Sequence, residues 1–93
     1  MKNLYQMQKK AKEMKKAMKE IEIEAEENGI LVVVNAAQEL VEIQIPDELL
    51  KPENKKMIEK SVKSAFDRAM KKGQEVAAEK MKPLMGGLGL PGA

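Results

Sequence analysis

The sequence predicts an α+β fold, a long N-terminal helix, a three-stranded antiparallel meander and a long C-terminal helix (α-β-β-β-α), and three observations carry that prediction. Near the N-terminus apolar residues recur every three or four positions, the interval of a helix. From Glu20 the interval falls to two, and three short runs rich in Ile, Val and Leu are separated by turn signals. Beyond Pro52 the helical interval returns and holds to about Lys82. A chain of 93 residues has room for one domain, 1–82, followed by a Gly/Pro tail at 83–93 that is expected to be flexible.

The first helix covers about 2–19. Leu4, Met7, Ala11, Met14, Met18 and Ile21 alternate steps of three and four, a heptad seam suited to one partner helix rather than a broad core. At 1.5 Å per residue it is roughly 30 Å long. From Glu20 to Glu26, Glu alternates with Ile or Ala, so a strand at about 20–26 has one apolar and one acidic face. Asn28-Gly29 suits the positive φ of a tight hairpin turn. The second strand, about 30–35, has no polar face between Ile30 and Val34, as expected of a central strand buried on both sides or lying in an interface. After the turn Asn35-Ala36-Ala37-Gln38, a third strand at about 39–45 carries Leu40, Val41, Ile43 and Ile45, and Pro46 stops it.

Asp47 to Leu50 reads as a short helical turn under an Asp cap. Pro52 then opens the last helix, about 53–82, with Glu53 facing its positive end. Ile58, Val62, Ala65, Ala69 and Val76 form its apolar stripe, widened by Phe66, Met70, Ala77 and Met81, and Pro83 is expected to end it. Gly73 costs about 1 kcal/mol against Ala in a helix interior. Close approach of a neighbouring element would account for it; so would a half-exposed face that tolerates Gly.

Composition removes several function classes. There is no Cys and no His, which takes away the usual zinc sites, disulfide frameworks and His-based catalysis. Tyr5 and Phe66 are the only aromatics, too few for base stacking as RNA-recognition or OB modules use it. No Gly-rich loop joins a strand to a helix, so phosphate cradles of nucleotide enzymes are absent, and no loop spaces oxygens like an EF-hand. The expectation is a protein that is not an enzyme and takes no cofactor, metal or small-molecule substrate. No apolar run approaches a membrane span, and no apolar stretch follows Lys2 as in a secretory signal. A Cys-free chain suits a reducing cytoplasm, and a small chain with few large hydrophobes is expected to oligomerise.

Charge placement is more informative than the net +2. Residues 1–19 carry +6, residues 20–54 carry −9, and residues 55–93 carry +5. Both helices are therefore basic and the sheet acidic. In the first helix Lys9, Lys10, Lys12, Lys15, Lys16 and Lys19 fill most positions off the seam, an electrostatic footprint that fits a phosphate backbone. The plainer alternative is a solvated coiled-coil face. Lys without interleaved aromatics, and with Arg68 the only Arg, favours sequence-tolerant contact over base readout.

The order of elements, with several local runs, resembles the YbaB/EbfC family of bacterial nucleoid-associated proteins over essentially the whole chain. The runs are Leu4-Tyr5-Gln6-Met7-Gln8-Lys9-Lys10-Ala11, then Asn35 to Ile45, Leu49-Leu50, Met57-Ile58-Glu59, Ala65-Phe66-Asp67-Arg68-Ala69, and Met81 with Gly86-Gly87-Leu88-Gly89-Leu90-Pro91-Gly92. The family's Gly run before the central strand is reduced here to Gly29, its Asn-Gly at the next turn is Asn35-Ala36, and its common Asn in the second helix is Asp67. A stiffer hairpin and a different second turn are implied.

The resemblance implies a tweezer-like homodimer in which associated sheets project helical arms that bind double-stranded DNA. Candidate DNA-binding residues are Lys2, Lys9, Lys10, Lys12, Lys15, Lys16 and Lys19, then Arg68, Lys71 and Lys72. The expected function is cytoplasmic, at the nucleoid: binding duplex DNA with low specificity, organising it, and by extension affecting gene expression. Two alternatives from other classes stand beside it, a prefoldin-like holdase chaperone and a protein-binding adaptor.

Overall fold

The computed structural model describes residues 2–87, and their side chains from 6 to 82. In chain order they form α1 (Lys2–Lys19), β1 (Glu22–Glu27), β2 (Ile30–Asn35), β3 (Leu40–Gln44), short 3-10 turns at Asp47–Leu49 and Pro52–Asn54, and α2 (Lys55–Gly87). The strands make one antiparallel sheet in the order β1-β2-β3. No helix among the described residues is long and apolar enough to cross a membrane.

Local chemistry sets each turn. Asn28 at φ 53° and Gly29 at φ 85° both take left-handed conformations, matching the hairpin type whose twist continues that of the strands. The second turn is closed by Asn35, whose amide N–H donates to the Glu39 carbonyl at 3.0 Å and whose Oδ1 accepts from the Glu39 N–H at 3.0 Å. Gln38, at φ 66°, takes the left-handed position in this turn. β1 begins at Glu22 rather than Glu20, because α1 winds on past Lys19. Glu20 N–H donates to Ala17 and Ile21 N–H to Met18, the tighter bonding of a helix end. Asp47 caps nothing: Pro46 occupies the cap position and no side-chain bond is made there.

α2 lies across one face of β1 and β2, where Ile23 and Ala25 pair with Val34 and Val32. Its buried ridge is Ser61, Ala65, Ala69 and Gly73, small residues at four-residue spacing that let helix and sheet come close. Ile23, Val32, Val34, Ala36, Ala65 and Ala69 form the core, flanked by half-buried Met18, Ile21, Phe66, Met70 and Val76. Ile30, Val32, Val33 and Val34 are all at most 3% exposed, so the central strand is covered on both sides. On the side away from α2, Val33 sits between its pairing partners Glu24 and Glu42.

Gly73 faces the end of β2. A Cβ there would lie 3.4 Å from the Asn35 carbonyl oxygen and 3.7 Å from Ile23 Cδ1, ordinary contact without overlap. Close approach is therefore the right account of this glycine, yet it leaves space for one methyl. Gly73→Ala is expected to stabilise the fold by about 0.5–1 kcal/mol through helix propensity. Gly73→Leu is expected to destabilise it by about 1–3 kcal/mol through overpacking. Urea unfolding of the two variants checks both signs.

β3 is the strand α2 leaves uncovered. Val34 pairs with Leu40 whereas Val33 pairs with Glu42, so Val41 is an extra, bulged residue. The bulge explains two adjacent apolar residues in a strand that otherwise alternates, and sets Leu40 beside Ile43 on the α2 side. Leu40, Val41 and Ile43 remain 51%, 46% and 40% exposed.

The helices reach beyond the sheet. The Cα radius of gyration is 17.9 Å, with extents of 59 × 27 × 15 Å, where a compact chain of this length would have a radius of about 12 Å. α2 continues through Pro83 to Gly87 instead of stopping before the proline. Pro83 lacks an N–H, so the cost is one bond to the Glu79 carbonyl within the last turns. Of the expected tail, 88–93 lies outside the described residues.

Candidate nucleic-acid interface

Among the described side chains, the heptad seam of α1 engages only at its lower end. Met14, Met18 and Ile21 are half-buried, whereas Ala11 is exposed and Met7 is 66% exposed. Met14 and Met18 line a cleft of about 490 Å³ with Ala11, Lys15, the Ala36–Gln38 turn, and Ala77 and Met81 of α2. The Ala36 N–H ties the base of the arm to the sheet, donating to the carbonyls of Met18 at 3.1 Å and Ile21 at 2.9 Å. Above that anchor α1 is a projecting helix, and its lysines follow it outward.

Lys12, Lys15, Lys16 and Lys19 stand at i, i+3, i+4 and i+7, so the helical repeat gathers them on one face. Together they line a shallow groove of about 180 Å³. Lys9 and Lys10 lie farther along the arm and are exposed. Lys2 opens the helix, but its side chain lies outside the described residues. Among the described residues there are only two ion pairs, and only one involves α1: Lys19 Nζ to Glu39 Oε2 at 3.9 Å, a loose contact between half-exposed groups. Lys9, Lys10, Lys12, Lys15 and Lys16 thus have no carboxylate within 4.0 Å, although Glu13 shares their helix.

The three candidates on α2 divide. Lys71 and Lys72 are exposed and form no ion pair among the described residues. Arg68 is committed elsewhere: its Nη2 donates to the Glu27 carboxylate at 2.6 Å and to the Glu26 carbonyl at 2.7 Å. Glu27 Oε2 also accepts from Ser64 Oγ at 3.3 Å, and Asn28 Nδ2 donates to Ser61 Oγ at 2.9 Å. These bonds latch the first hairpin to α2, so Arg68 acts as a brace with its charge largely answered. Arg68→Ala is expected to lower stability by about 1 kcal/mol while moving duplex affinity less than about twofold. Thermal unfolding beside a binding titration checks this. Neither Arg68, Lys71 nor Lys72 lines the α1 groove.

Sequence reading passed over another set of lysines on α2. Lys56 and Lys60 border a groove of about 420 Å³ with Glu27, Asn28, Met57, Ser61 and Ser64. Their signal was present in the +5 of residues 55–93, but it points outward only once the buried ridge is known. Four strand acids lie elsewhere: Glu22, Glu24 and Glu26 pair with Asn35, Val33 and Leu31, and Glu42 also pairs with Val33, on the sheet face away from α2. The face of the sheet away from α2 is therefore acidic, while the α1 groove is lined by lysines alone. No group of His, Cys, Asp or Glu able to hold a metal ion occurs among the described residues.

Comparisons with known proteins identify the family. A family model described as the YbaB/EbfC DNA-binding family matches residues 1–88. A nucleoid-associated protein of Afipia carboxidovorans is 37% identical over 99% of this chain and 90% of its own length. One of Rhodococcus erythropolis is 40% identical over 94% of this chain and 81% of its own. The crystal structure of an uncharacterized protein from Helicobacter pylori superposes with a TM-score of 0.66 at 25% identity, covering 87% of this chain and 96% of that one.

Proposed function

The chain belongs to the YbaB/EbfC DNA-binding family, and from that membership we propose that it is a nucleoid-associated protein that binds duplex DNA as a homodimer with low sequence preference. It works in the cytoplasm, on the nucleoid, and affects gene expression through the DNA it occupies. The observation that carries this reading is the lysine face of α1, exposed, free of carboxylate partners apart from Lys19, and held away from the acidic sheet. A phosphate backbone meeting that face exchanges condensed counterions for Lys ammonium groups, and their release drives binding. Lysines meet phosphates as point charges, so one sequence serves nearly as well as another.

The apolar strip along β3 supports the dimer. Leu40, Val41 and Ile43, with Leu50 at 60% exposure, are large side chains that a second copy would take out of water. β3 also offers an unpaired strand edge. Fluorescence anisotropy with two duplexes of unrelated sequence, beside light scattering for mass, tests the reading. Affinities within about threefold of each other and twice the chain mass are expected. A strong preference for one duplex, no binding at low salt, or a monomeric mass contradicts it.

The methionine-lined cleft between α1 and α2 is the feature that favours a holdase, since Met side chains adapt to varied apolar partners. That reading gives the lysine face no role. Suppression of client aggregation without DNA binding would favour it.

A further inference from the structure

A second basic face lies on α2. Because Ser61, Ala65, Ala69 and Gly73 are buried toward the sheet, residues about half a helical turn away from that ridge point to solvent. Lys56, Lys60, Lys63 and Lys71 hold those positions. All four are exposed, and among the described residues none has a carboxylate within 4.0 Å. Asp67 is the one acid in the row. At 1.5 Å per residue the row is about 22 Å long; Lys63 lies about 21 Å along the helix from Ala77, where the α1 cleft begins, and Lys71, the near end of the row, about 9 Å from it.

We propose that this row is a second phosphate-binding face, which holds a duplex other than the one on α1, so that the protein joins two duplexes. The proposal rests on the DNA-binding reading above and extends it to residues outside the α1 arm. One DNA strand presents a phosphate about every 3.4 Å of axis, so the row spans roughly six of them. The α2 row is the weaker of the two faces, because Asp67 interrupts it and Glu27 shares a groove with Lys56 and Lys60.

The test uses the full chain. A biotinylated duplex on streptavidin beads is loaded with protein and washed, and capture of a second, fluorescent duplex is read. Affinity for a single short duplex is measured in parallel by anisotropy. The variant K56Q/K60Q/K63Q keeps side-chain length and helix propensity, and circular dichroism verifies its fold. It is expected to hold single-duplex affinity within about threefold and to lose at least about tenfold in second-duplex capture. Capture equal to wild type overturns the proposal, as does a wild-type protein that binds one duplex and captures no second. It is also overturned if this variant loses single-duplex affinity as severely as K12Q/K15Q/K16Q, since the two rows would then be one surface. A wild-type protein that binds no duplex at all fails in the single-duplex measurement itself, which identifies the underlying reading as the one at fault.

Discussion

Replacing Lys12, Lys15 and Lys16 together by Glu is expected to lower duplex affinity by about 100-fold or more near 0.1 M salt and to leave the fold intact. The magnitude follows from counterion release. Each phosphate contact contributes about 0.9 to the slope of log K against log salt, so three lost contacts forfeit between two and three decades on going from 1 M to 0.1 M. Reversing the charge adds repulsion to that loss, and the binding left over is that of the weaker α2 row. The fold tolerates the change because all three side chains are exposed on a projecting helix and none forms an ion pair. Met14, Met18 and Ile21, which anchor the arm, are untouched. An anisotropy titration of variant against wild type, with circular dichroism as control, reads the effect. A loss below about tenfold would remove the α1 groove from the interface.

The second large effect concerns β3. Leu40→Asp with Ile43→Asp is expected to turn a dimer into a monomer, raising the dissociation constant by at least about a thousandfold. Both residues lie on the α2 side of the sheet but beyond the reach of α2, 51% and 40% exposed, so the single chain accepts a carboxylate at either position. In a two-fold interface every substitution appears twice, and two unpaired carboxylates from each protomer would have to leave water. Several kcal/mol are at stake for each buried charge. Light scattering across a concentration series separates the outcomes. A variant that stays dimeric at micromolar concentration places the interface on another surface. A monomer that retains full duplex affinity would show instead that one arm suffices.

Much of the fold is legible in the sequence because its signals are local. The seam from Leu4 to Ile21, the unbroken β2 run and the Asn28-Gly29 turn each depend on residues a few positions apart, and α1, β2 and the hairpin fall where those signals put them. What is not legible depends on distant partners. The bulge at Val41 exists only relative to β2. The engagement of Arg68 joins residues 41 apart, so a count of basic side chains treats it as one more free cation. The buried ridge of α2 includes Ser61 rather than Val62, because Ser61 Oγ meets Asn28 Nδ2 across the hairpin and polarity alone argues against burial. That shift of the ridge is also what turns Lys56, Lys60 and Lys63 outward as a row. Within the candidate interface, the grouping of Lys12, Lys15, Lys16 and Lys19 follows from helical spacing alone, whereas their freedom from acid partners depends on where the sheet turns its glutamates.

Net charge is a poor guide to this molecule, since +2 averages over surfaces of opposite sign. A duplex approaching it meets attraction at the helices and repulsion at the sheet, and the projecting α1 keeps the two apart. Phosphate neutralisation by lysines is the central claim, and it has a direct readout in the salt dependence of wild-type binding. Affinity for a short duplex, measured by anisotropy from about 0.05 to 0.3 M salt, is expected to fall with a log–log slope of about −3.5 to −7, as four groove lysines from one arm or two predict. A slope shallower than about −1 over that range would contradict it.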